Sequence, residues 1–137
     1  MAQFRDQHPI ALQDHMDWIK KALLDRRMRL FIATDQEAGV SVGTGRLDFL
    51  RTEKGVAVYE TSITVAPPMR GRGYAVPFIA SLVHECRIFM EMGKFSRGSI
   101  QANVKPMNHA SLCAFASNEF VPTLFSESLV TLERNLL

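Results

Sequence analysis

The chain has 137 residues, 47% of them hydrophobic and 22% charged, with a formal net charge of +2 at pH 7. That length suits a single domain, residues 1–137, built around one core. So small a charge gives no ground for a nucleic-acid or membrane partner, and no apolar run approaches the ~20 residues of a membrane span.

The opening stretch "MAQFRDQHPI" lacks the apolar centre of a signal peptide. Cys86 and Cys113 each fall in a segment with helical patterning. They read as buried free thiols in a reducing cytoplasm, with a disulfide as the competing reading. Residues 12–25 place Leu12, Met16, Ile19 and Leu23 at helical spacing. Strands follow at 28–34, 39–50 and 55–66, the last rich in β-branched residues. Their short connections predict an antiparallel meander, and the glycines of the second predict a bulge or a close backbone approach. Residues 74–92 form a helix with Ala75, Ile79, Leu82, Cys86 and Phe89 on one face, and Gly93 is its expected stop. Pro77 is tolerable only in the first turn, which fixes the start near residues 73–75. A strand at 98–105, a short helix capped by Asn108 and running to about Ser117, and two closing strands complete the order α, β, β, β, α, β, α, β, β. This is a mixed α/β layout, a mostly antiparallel sheet flanked by helices.

The stretch "VAPPMRGRGYAVPF" joins a strand to a helix. A helix start presents unpaired N–H groups and the positive end of a dipole. Gly71 and Gly73 let the backbone curl against a ligand without Cβ clashes, and Arg70 and Arg72 add positive charge. Together they form an anion cradle suited to a pyrophosphate. The loop lacks the Gly-Lys-Ser/Thr ending of a Walker A sequence and the G-x-G-x-x-G of a dinucleotide fold.

"ITVAPPMRGRGYA" resembles motif A of the GNAT N-acetyltransferases, Arg/Gln-x-x-Gly-x-Gly/Ala, through Arg70, Gly73 and Ala75. "IQANVKPMNHASLCAFASNEF" is similar to motif B of the same family, an Asn-led helix followed by a strand-opening Phe. The resemblance covers residues 8 to 135. It implies the GNAT acyl-CoA N-acyltransferase fold, acetyl-CoA as cosubstrate, and a pyrophosphate site made by Arg70, Gly71, Arg72, Gly73, Tyr74 and Ala75. It further implies that the backbone of Ile63 and Val65 meets the pantetheine arm, that Asn108 and Ser111 contact CoA, and that Phe115 packs beside the thiol arm. Many members carry a Tyr at the Phe115 position to protonate the leaving thiolate, and a Gly where Glu119 stands. The family also opens with a strand and a further helix. Only about ten residues precede the first helix here, so the N-terminal strand should be missing or short.

Direct attack of an amine on a thioester needs no enzyme nucleophile. Glu60, in mid-strand, is the candidate general base, taking a proton from the ammonium through water. Its competing reading is an exposed or arginine-paired strand glutamate. "PIALQDHMDWIKKALLD" followed by "GTGRLDF" resembles acetyltransferases that modify amino sugars on nucleotide carriers. That resemblance makes Trp18, Arg46 and Asp48 candidate acceptor-binding residues, with His15 beside Trp18. The histidines show no metal-ligand spacing, so no metal is expected. The sequence therefore reads as a cytoplasmic acetyl-CoA-dependent N-acetyltransferase acting on a small primary amine, an amino-sugar nucleotide first. A protein or peptide amine is the alternative acceptor. A CoA-binding regulator without turnover is the alternative class, and a homodimer stays open.

Overall fold

The computed structural model describes residues 2–5 and 27–136. The helix expected over 12–25, with His15 and Trp18, lies outside the described residues. Among the described residues seven strands form one sheet: β1 (Ala2–Arg5), β2 (Met28–Asp35), β3 (Val40–Glu53), β4 (Val56–Val65), β5 (Gly98–Val104), β6 (Val121–Phe125) and β7 (Val130–Leu136), in the order β1-β2-β3-β4-β5-β7-β6. The expected meander is present as antiparallel β2, β3 and β4, and among the described residues only the β4–β5 pair is parallel. The N-terminal strand is short rather than missing, four residues paired with β2. Lys54 and Gly55, at φ 51° and 79°, close the β3–β4 hairpin. Two consecutive left-handed residues match the right-handed twist of the flanking strands.

Helix α1 (Ala75–Met92) fills the crossover between the parallel strands, and α2 (His109–Ala116) follows β5. Pro77 sits in the first turn of α1, as its missing N–H requires. Phe78, Ile79, Leu82, Val83, Cys86 and Met90 are the buried stripe of α1, with Phe89 at its margin. That stripe packs on Ala57 and Tyr59 of β4, Ile100 and Ala102 of β5 and Leu132 of β7. A Cβ at Gly45 would stand 2.8 Å from the Phe78 ring, so β3 needs a glycine for the helix to dock. Burial pushes the Cys86 thiol up to about 12, which makes it inert at neutral pH. Cys113 is exposed, against the expectation that both thiols are buried.

Both helices stop on a left-handed residue that is not glycine. At α1 the residue is Lys94 (φ 62°), while Gly93 keeps a helical φ of −80°. A Cβ at Gly93 would lie 2.9 Å from the Phe95 ring, so this glycine makes room rather than turning the chain. At α2 the residue is Glu119 (φ 66°). There Phe120 N–H donates to Phe115 O at 3.2 Å and Glu119 N–H to Ala116 O at 3.1 Å, the two bonds of a Schellman stop. The accompanying apolar clasp is Phe115 against Phe120, edge to face with centroids 5.0 Å apart.

Asn118, buried, ties the two helices together. Its Nδ2 donates to Val76 O in the first turn of α1 (3.1 Å) and to Ala114 O in α2 (3.0 Å), while its backbone carbonyl accepts from Arg134 Nη1 at 2.7 Å. At the far edge of the sheet, β6 is exposed along its whole length. Val121, Leu124 and Phe125 are uncovered there, Pro122 lies among them, and the pairing with β7 shifts register between Pro122 and Leu124.

Two stability measurements follow from these helix ends. Glu119→Gly relieves the left-handed strain and loses an ion pair to Arg134 whose Glu119 end is exposed, so it should stabilise the fold by about 0.5–1 kcal/mol in urea titration. A lower urea midpoint would contradict the strain assignment. Asn118→Ala removes two buried donors and should cost about 2 kcal/mol; an unchanged midpoint would show that the inter-helix tie carries no stability.

Candidate acetyl-CoA site

The β4–β5 ladder runs only from Ala57↔Gly98 to Glu60↔Gln101. Beyond that rung β4 stays with β3 as far as Gly43↔Val65, and β5 stays with β7 as far as Val104↔Val130. The two strands therefore part. Ala57 N–H points to the β5 side, donating to Arg97 O, and Ala66 N–H points to the β3 side, donating to Val42 O. Alternation along the strand then turns the peptide groups of Ile63 and Val65 into the opening, where no neighbouring strand meets them. The opening is a cleft of about 670 Å³, walled by Ile63 and Val65 on one side and by α2 on the other, with the 66–75 turn at one end.

In that turn a short 3-10 segment (Pro67–Met69) precedes two left-handed glycines, Gly71 at φ 73° and Gly73 at φ 80°. A Cβ at either glycine would meet nothing within 4 Å, so glycine is there for its backbone conformation and not to avoid a clash with the protein. Tyr74 is the N-cap of α1. No side chain caps the helix start and no acidic residue lies in its first turn, leaving its N–H groups and dipole to an anion. Gly71, Gly73, Tyr74, Ala75 and Arg70 line the cleft. Arg70 donates from Nε to Val65 O at 3.1 Å, which leaves its outer nitrogens facing outward. Arg72, between the two turned glycines, is exposed and does not line the cleft. The Tyr74 hydroxyl donates to Asp35 Oδ2 at 2.7 Å. That bond and the Ala38 N–H hold the Asp35 carboxyl below its ordinary value, and the same bond raises the Tyr74 phenol.

Along α2, Asn108 Oδ1 caps the helix by accepting from Ser111 N at 3.1 Å, and both residues line the cleft. Phe115 does not. It is 2% exposed and clasped to Phe120, so the expectation that it packs beside the thiol arm is corrected by its place in the Schellman stop. The cleft residues missed were Ala110, Cys113, Ala114 and Ser117 at α2 and Thr64, Met69 and Val76 on the other side. Small residues at 110, 114 and 117 share one helix face, and that spacing was the available signal.

Glu60 lies on the opposite face of the sheet from α1, half-buried, in the last rung before the strands part. Its cross-strand partner is Asp48, whose Oδ2 accepts from Arg46 Nε at 2.8 Å. Arg46 and Asp48 thus pair with each other. The register carries this row on through Gln101 to Glu133. Among the described residues no group of His, Cys, Asp or Glu could hold a metal, and no helix is long and apolar enough to cross a membrane.

No curated protein matches the sequence at a significant level. Solved structures do match. The Campylobacter jejuni N-acetyltransferase PseH in complex with acetyl coenzyme A has a TM-score of 0.71 at 16% identity, covering 91% of this chain and 79% of that one. The Vibrio cholerae spermidine N-acetyltransferase in complex with CoA and spermine has a TM-score of 0.69 at 16% identity, covering 95% and 79%. An N-acetyltransferase from Staphylococcus aureus Mu50 has a TM-score of 0.68 at 19% identity, covering 95% and 80%. At such identities the likeness speaks for the fold. The family itself comes from the sequence, in which residues 1–121 match the acetyltransferase (GNAT) domain. A parted parallel pair, an uncapped helix start behind two turned glycines, and that match have one reading: the chain belongs to the GNAT acetyltransferases, and acetyl-CoA is its cosubstrate.

Proposed function

We propose that the enzyme transfers the acetyl group to a small primary amine by direct attack, with Glu60 as general base. The observation that carries this is the position of Glu60 in the last β4–β5 rung, on the face opposite the cleft. A pantetheine arm lying along Ile63 and Val65 would bring the thioester to the point where the strands part. An amine could then approach from the Glu60 face. Glu60 accepts the amine proton through water, and an N–H of β4 that faces the opening steadies the charge growing on the carbonyl oxygen. The C–S bond then breaks and the electron pair goes to sulfur. With Phe115 buried and lacking a hydroxyl, solvent in the open cleft supplies the thiol proton.

The sequence resemblance favours an amino-sugar nucleotide as acceptor. The row Asp48, Glu60, Gln101 and Glu133 supports a second reading, a diamine or polyamine. Three carboxylates, one of them already paired with Arg46, suit an acceptor with more than one positive charge better than a diphosphate. Thiol release from acetyl-CoA over a panel of both acceptor classes separates the two.

Gly73→Val should abolish acetyl-CoA binding in calorimetry, because a β-branched residue resists φ 80° and its side chain would fill the cradle. Normal binding by a folded Gly73→Val variant would move the phosphate site elsewhere. Glu60→Gln should keep acetyl-CoA affinity and lower kcat/KM by about 10²-fold at neutral pH, with the deficit shrinking at high pH as the acceptor amine deprotonates unaided. Full activity in that variant would reject the base assignment.

A further inference from the structure

We propose that Asp35 is a positioning residue for the donor: through the Tyr74 hydroxyl it latches the phosphate-binding turn in its binding-ready shape. The proposal rests on the reading of that turn as the pyrophosphate cradle.

Residues 71–73 make no hydrogen bond to the rest of the fold among the described residues. Two of the three are glycines at positive φ, the backbone type that loses most freedom on ordering. Such a turn needs to be held from its ends. On one side Arg70 Nε is bonded to Val65 O. On the other the tie is Tyr74 to Asp35, 39 residues earlier in the chain. Asp35 is itself fixed, because Oδ1 accepts from the N–H groups of Glu37 (3.1 Å) and Ala38 (3.2 Å), leaving Oδ2 for the phenol. Since Tyr74 is the N-cap of α1, holding its ring sets the direction in which the free N–H groups of the helix start point.

A carboxylate beside an anion site also repels the ligand. This carboxylate is at the surface, where water and salt screen it, so the lost hydrogen bond outweighs the relieved repulsion. Helix α1 is anchored independently by Phe78, Ile79 and Leu82. Breaking the latch therefore loosens the turn and leaves the helix docked. The effect falls on binding the pyrophosphate, by removing preorganisation.

The test compares acetyl-CoA with acetyl-pantetheine, which lacks the pyrophosphate, on the wild type, Asp35→Ala, Tyr74→Phe and the double variant. Tyr74→Phe removes the bond and keeps the Asp35 charge. The Kd for acetyl-CoA should rise about tenfold in each single variant and no further in the double. Turnover of Asp35→Ala at saturating acetyl-CoA should equal the wild type, and so should its KM for acetyl-pantetheine. Single variants that bind acetyl-CoA as tightly as a binding wild type overturn the latch alone. So do penalties that add in the double variant, or an equal loss with acetyl-pantetheine, which would mark a general loosening. A wild type that gives no heat with acetyl-CoA overturns the cradle reading and the latch together.

Discussion

A strand's peptide groups need partners, and where β4 parts from β5 the inner edge of β4 has no strand to supply them. Each strand keeps its outer neighbour, so the sheet survives the gap. The inner edge of β4 is left with the Ile63 peptide groups and the Val65 N–H, which a bound chain of amides can meet as a third strand would, while Arg70 already meets the Val65 carbonyl. The pantetheine arm of CoA carries such amides. The glycine turn lies at one end of this opening, α2 runs along one wall, and Glu60 stands in the last rung before it.

The two helices next to this opening are tied to each other. Asn118 does this by bonding the first turn of α1 and the last turn of α2 with one amide. The Schellman stop that aims Asn118 also turns Phe115 inward. The loss of a phenol at that position and the rigidity of the helix end are thus two aspects of one local geometry. An aromatic ring committed to the clasp has little freedom to serve the cleft.

Much of this was legible in the sequence because it depends on short-range chemistry. The β-branched run of β4, the forced placement of Pro77, the cap at Asn108 and the glycines at 71 and 73 each constrain the backbone within a few residues. What escaped depends on contacts made at a distance. Lys94 and Glu119 take left-handed conformations because Phe95 and Phe120 reward the turn, which no propensity reveals. Gly93 is the C-cap, as expected, yet it is glycine to admit the Phe95 ring, and the left-handed turn falls on Lys94. The hydrogen bond from Tyr74 to Asp35 joins residues far apart in the chain. The inward turn of Phe115 depended on a partner five residues on, and motif alignment alone could not give the direction of its ring.

The β6 edge has a consequence of another kind. Five residues without a charge, apolar on both faces and open along one side, have the composition of a segment that stacks on copies of itself. Pro122 withholds a donor from that stack, and the extra residue at Thr123 bends the strand away from flatness. Protection against fibrous association therefore falls to two residues that touch neither the core nor the cleft, and replacing both would remove it while leaving the cleft as it is.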